Sequence, residues 1–132
     1  MKLITRDTDY AVRALCFIAG KKESKVTAHL LVKELKIPRP FLRKILQILN
    51  KKGVLCSFKG ATGGFVLAEP AKDIYLMDLI NIFQGPLKIN ECLFKKRVCP
   101  NTKLCALKKK VDTIEEKVRR ELELITIADL IN

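Results

Sequence analysis

The chain has 132 residues, 48% of them hydrophobic, which suits one compact domain or a small head with an extension. Its 26 basic and 14 acidic residues leave a net charge of +12, and +9 of that falls between Met1 and Pro70. Such concentration favours a polyanionic partner, nucleic acid first, although a basic solubilising surface has the same balance. No stretch reaches the roughly 18 uninterrupted apolar residues of a spanning helix, and the first twenty residues lack the pattern of a signal peptide. The expected location is therefore cytoplasmic, with no membrane partner. There, five cysteines point to metal or redox chemistry rather than to disulfides.

Tyr10, Ala11, Ala14, Leu15 and Ile18 recur at three-to-four spacing and predict an amphipathic first helix from Arg6 to Ala19, ending at Gly20. After a charged loop, Lys21 to Lys25, Thr27 can cap a second helix that turns Leu30, Leu31 and Leu35 inward and ends near Leu35. Ile37-Pro38 forces a turn, and Pro40 suits the first turn of a third helix. Phe41, Leu42, Ile45, Leu46 and Leu49 form its expected buried stripe, and Gly53 stops it. Two strand-like runs follow, Val54 to Phe58 and Phe65 to Ala68, separated by a glycine-rich tip. Helix, helix-turn-helix and basic hairpin make a winged helix, so the fold class is mainly α with a small β-hairpin wing.

Pro70 is expected to close this head, giving a DNA-binding unit at 1–70 and a sensor and dimerisation unit at 71–132. Ile74 to Phe83 reads as another short helix, stopped by Gly85-Pro86. A long helix from about Lys103 to Glu123 places Leu104, Leu107, Val111, Ile114, Val118 and Ile125 along one narrow seam, broken at Glu121. A seam this narrow on a charged helix favours a homodimer over packing on the chain's own head. Thr126 can cap a final turn, Ile127 to Ile131.

On the third helix Arg39, Arg43 and Gln47 lie four apart opposite the apolar stripe, with Lys44 beside them. Arginine can pair with guanine, glutamine with adenine and lysine with phosphate, which makes these four candidates for reading double-stranded DNA. An ordinary solvated face has the same composition. At the hairpin tip Lys59 and Gly60 are the candidates: a cation suits the negative potential of a narrow minor groove, and glycine permits close backbone approach.

Cys92, Cys99 and Cys105 are separated by six and five residues, wider than the spacing of zinc knuckles. An iron-sulfur cluster accepts wider loops, and Lys95, Lys96, Arg97 and Lys103 would favour thiolates there. Cluster, zinc and free redox thiols all remain open on these residues alone. Cys16 and Cys56 read as small buried hydrophobes. An enzyme is disfavoured by a lone histidine, His29, without a cysteine partner, and by the lack of phosphate-loop and dinucleotide motifs.

Residues 9–15 (DYAVRAL), Lys59-Gly60 followed by residues 63–67 (GGFVL), and residues 127–130 (IADL) resemble the iron-sulfur and cysteine-responsive winged-helix regulators that include IscR, NsrR and CymR. The resemblance spans essentially the whole chain. It implies a homodimer with crossed long helices, third helices in major grooves and wings in minor grooves. It also favours a cluster, 4Fe-4S rather than 2Fe-2S, on Cys92, Cys99 and Cys105. IscR-like members carry a histidine three residues after the last cysteine, where this chain has Lys108. NsrR-like members use an aspartate of the other subunit's first helix, which corresponds to Asp9, and this makes Asp9 the expected fourth ligand. Asp7, Glu91, Asp112 and an exogenous ligand are the alternatives, and Asp9 also suits a plain first-turn acid. The resulting expectation is a repressor-type regulator sensing redox state, nitric oxide or iron-sulfur status. A clusterless thiol regulator and a zinc-stabilised dimeric interaction module compete with it.

Overall fold

The computed structural model describes residues 2–21, 24–89 and 106–131. Helix α1 spans Arg6–Gly20, α2 Ala28–Leu35 and α3 Arg39–Lys51. Strands β1 (Leu55–Phe58) and β2 (Gly64–Leu67) form an antiparallel hairpin, and a 3₁₀ turn at Ala71–Asp73 leads into α4 (Leu76–Phe83). Helix α5 (Ala106–Glu123) and a 3₁₀ turn at Ala128–Leu130 complete the described elements. This is the expected mainly helical winged-helix architecture. Among the described residues no helix is long and apolar enough to cross a membrane.

The helix boundaries follow from local chemistry. The Thr5 hydroxyl accepts the Thr8 backbone N–H at 3.5 Å to cap α1, and Thr27 does the same for Leu30 at 3.1 Å on α2. Helix α2 ends when Lys36 turns left-handed (φ 56°) and its N–H reaches the Val32 carbonyl at 3.0 Å. Pro38, with ψ near 133°, then starts α3 in the extended conformation that a proline permits.

The main core joins Ala11, Ala14, Leu15 and Ile18 of α1, Leu31 of α2 and Leu42, Ile45, Leu46 and Leu49 of α3. Leu30 and Leu35 are only half-buried beside it. This core continues past Pro70, because Ile74, Leu79 and Ile127 belong to the same cluster. Leu76, Met77 and Ile80 of α4 meet Leu122 of α5 and Leu87, which follows α4, in a second, smaller cluster. A short bridge between Tyr75 and Thr126 ties the two chain segments: Leu76 N–H donates to the Ile125 carbonyl and Ile127 N–H to the Ile74 carbonyl, both at 2.9 Å. The expected cap at Thr126 is present and reciprocal. Its hydroxyl accepts the Asp129 N–H at 3.3 Å, and its own N–H donates to the Asp129 carboxylate at 2.9 Å.

Two sequence expectations need correction. Phe41 is 39% exposed rather than part of the buried stripe, and the Arg6 guanidinium lies 4.3 Å from its ring centroid. Phe41 lies about a quarter-turn round α3 from the centre of the buried stripe, on the flank that Arg6 faces, so the cation covers one face of the ring instead. Cys56 is also exposed: with Leu55 buried, strand alternation turns its neighbour outward. Cys16, read as a buried hydrophobe, is half-buried, and that burial pushes its thiol pKa up.

Candidate nucleic-acid interface

Helix α3 separates its two faces sharply. Leu42, Ile45, Leu46 and Leu49 are at most 1% exposed, while Arg39, Arg43, Lys44 and Gln47 are all exposed on the other side. Arg39, Arg43 and Gln47 therefore form one ridge at successive helical turns. The buried face anchors the helix, so the ridge is presented on a rigid support. Arg39 at the head of the ridge is held by α2, with its Nη2 3.2 Å from Nδ1 of the exposed His29.

The hairpin register pairs Leu55 with Leu67, Cys56 with Val66, Ser57 with Phe65 and Phe58 with Gly64. Lys59 and Gly60 are both exposed at the tip, and Gly60 takes the left-handed φ of 97° that the turn requires. Gly63 matters for a different reason. A side chain there would drive into the Phe58 carbonyl and come within 2.9 Å of the Gly60 carbonyl, so only glycine lets the turn close. The wing also has a third member that the sequence pattern does not announce. Val26 exchanges both backbone hydrogen bonds with Phe65, at 3.0 and 2.8 Å, on the β2 edge away from β1. The available signal was a lone β-branched residue between two polar ones, too short to count as a strand.

Asp9 lies in the first turn of α1, with its carboxylate 44% exposed and bound by Arg13 Nε at 2.8 Å. Cys92, Cys99, Cys105 and the alternative ligand Glu91 lie outside the described residues. Among the described residues no group of three or more His, Cys, Asp or Glu could hold a metal ion. The chain on both sides of the cysteine segment is nonetheless fixed on α5. Glu115 accepts the Ile89 N–H at 3.1 Å, and Arg119 donates to the Leu87 carbonyl at 3.4 Å while pairing with Glu115 at 3.3 Å. Glu115 stands nine residues after Ala106, so the segment's two ends are attached about 14 Å apart along one helix. Sequence reasoning did not find this clamp. Glu115 and Arg119 are four apart, a spacing that reads as an ordinary surface pair.

The family model for Rrf2, the iron-dependent transcriptional regulators, matches residues 4–132. The chain belongs to the Rrf2 family. A protein of Aquifex aeolicus (strain VF5) named as an HTH-type transcriptional regulator is 34% identical over 125 residues, covering 93% of this chain and 87% of that protein. Among solved structures, CymR, the global cysteine regulator of B. subtilis, superposes with a TM-score of 0.84 at 23% identity, covering 98% of this chain and 96% of that one. IscR of T. potens superposes with a TM-score of 0.76 at 24% identity, covering 98% and 85%. The structural likenesses establish the fold. The family match makes this chain a DNA-binding transcriptional regulator rather than an enzyme.

For an Rrf2 regulator with this wing, Gly63→Ala is a direct test of the tip. Both atoms that the new methyl would meet are backbone, so the turn must open and carry Lys59 with it. Operator affinity is expected to fall about tenfold or more, the worth of one good interaction with DNA, while the core stays intact. Gly20→Ala is the control, because a methyl there meets nothing within 4 Å. Equal affinities for both variants would show that the tip does not touch DNA.

Proposed function

We propose that the chain works as a homodimeric transcription regulator whose DNA affinity is set by an iron-sulfur cluster. Each α3 enters a major groove, where Arg39, Arg43 and Gln47 read base edges and Lys44 binds phosphate. Each wing follows the adjacent minor groove through Lys59 and Gly60. The observation that carries this reading is the ridge of Arg39, Arg43 and Gln47, rigidly mounted behind a fully buried face.

Cys92, Cys99 and Cys105 would hold the cluster, of 4Fe-4S type, with Asp9 of the partner's α1 as fourth ligand. The donor set suits iron: three thiolates, plus one carboxylate exposed enough to face a second chain. When bound, the cluster would supply one oxygen-ligated iron open to nitric oxide or oxygen. The chain's own part is mechanical. Asp9 has two alternative partners, the cluster and Arg13, which already holds it at 2.8 Å within its own helix. With Asp9 returned to Arg13, the head is no longer tied to the partner's cysteine segment. The spacing of the two α3 ridges is then free to change, and operator affinity with it.

A second reading is a regulator that uses the same cysteines as free redox thiols. It is favoured by the close superposition on a global cysteine regulator. Anaerobic purification separates the two. A brown protein absorbing near about 400 nm, bleached in Cys99→Ser and weakened in Asp9→Ala, is the expected result. A colourless protein whose DNA affinity responds to thiol oxidation would replace the cluster reading, and a colourless zinc protein would overturn both.

A further inference from the structure

The cations of the wing are not confined to its tip. Lys25 precedes Val26, the residue that pairs with the outer edge of β2, and its ammonium lies 4.4 Å from the ring centroid of Phe58. Phe58 is 46% exposed, and it is the last residue of β1, directly before Lys59. A large ring left in solvent on a regulator's wing needs a reason, and the cation above it supplies one: the aromatic face fixes where the lysine stands. Lys25 is itself exposed, so its charge remains available.

Gly64 makes the arrangement possible. It pairs with Phe58 across the hairpin and has φ 145°, and a methyl on it would come within 3.0 Å of both Lys25 Cβ and the Val26 carbonyl. Any other residue would be strained at this φ and would make the Lys25–Val26 segment give way beside β2, disturbing the seat of Lys25. The two consecutive glycines thus have separate duties, Gly63 closing the tip and Gly64 seating the Lys25–Val26 segment on the edge of β2.

We infer that Lys25 is a phosphate-binding residue of the wing, set over Phe58 so that it engages the sugar-phosphate backbone flanking the groove that Lys59 enters. This rests on the reading that the wing contacts DNA. Lys25 binds through charge, and Phe58 and Gly64 are positioning residues that reduce the freedom a lysine otherwise gives up on binding. Within the described residues no carboxylate pairs with Lys25, so its ammonium is left to a phosphate while it rests on the ring.

The test uses an operator duplex selected from a random pool by the wild-type protein, with affinity measured against salt. Removing one lysine–phosphate pair lowers the log–log salt slope by about 0.9 and affinity at 0.1 M salt by about eightfold, for each protomer bound. Lys25→Gln is expected to show both changes with an unaltered melting temperature, and Lys25→Arg neither. Phe58→Leu is expected to weaken binding less than Lys25→Gln while keeping the wild-type slope, and to add nothing in the Lys25→Gln background. Wild-type affinity and slope in Lys25→Gln would overturn the assignment. So would a Phe58→Leu effect that persists in full when Lys25 is already gone, since that would make the ring a DNA-binding group in its own right. If no duplex is selected at all, the wing–DNA reading fails first and this one with it.

Discussion

The double variant Leu107→Asp/Ile114→Asp is expected to be monomeric and to bind its operator about 10²- to 10⁴-fold more weakly, the advantage of two linked half-sites over one. The two residues are one heptad apart on α5 and 72% and 55% exposed, whereas Val111 and Val118 between and beyond them are half-buried. Side chains of this size contribute about 1.5–3 kcal/mol each when covered, so leaving them in water on both chains of a pair would be expensive. The C-terminal end of α5 already has its partner, with Leu122 buried against α4 and Val118 half-buried beside it, whereas Leu107 and Ile114 lie outside that cluster. The introduced aspartates therefore act on the seam and leave the chain's own packing alone. Sedimentation velocity reads the oligomeric state directly, and a variant that stays dimeric would place the dimer interface elsewhere.

The second large effect is on stability. Ile127→Ala is expected to cost about 2–5 kcal/mol, because Ile127 is fully buried and its removal leaves a cavity that the helices around it cannot close. For a chain of this length that corresponds to a fall of about 7–18 °C in melting temperature. Leu124→Ala, three residues earlier and 73% exposed, is expected to change stability by less than about 0.5 kcal/mol. Differential scanning calorimetry of the two variants decides it. Similar small shifts in both would mean that the chain's last turn is not part of the head's core.

Ile127 also shows where sequence reading reaches its limit. The final turn and its Thr126 cap were legible, because a hydroxyl followed three residues later by an acid is local chemistry. That the turn inserts an isoleucine into the core shared with α1 and α3 was not legible. Those helices lie more than seventy residues away, and no periodicity reports such a distance. The same holds for the Glu115–Arg119 clamp on residues 87–89, whose members look like a routine helix pair until the chain before the cysteine segment is brought beside them.

The polar face of α3 was legible to a greater degree. Arg39, Arg43, Lys44 and Gln47 oppose a stripe of four aliphatic residues, and helical periodicity alone places them on the outside. Phe41 broke the pattern because it lies on the flank of the stripe rather than at its centre, although its neighbour Leu42 is fully buried. Cys56 reads as a small buried hydrophobe by residue type, whereas a two-stranded wing has an outer face in solvent and Cys56 lies on it.

Order of elements, helix caps, the polar ridge and the need for glycine at the tip all followed from residues close together in the chain, where steric and hydrogen-bonding rules act over a few positions. The bridge of Val26 to the edge of β2, the seat that Gly64 makes for Lys25, the covering of Phe41 by Arg6 and the burial of Ile127 depended on tertiary structure. Each joins segments distant in sequence, and only the closed core brings those segments within ångströms of one another.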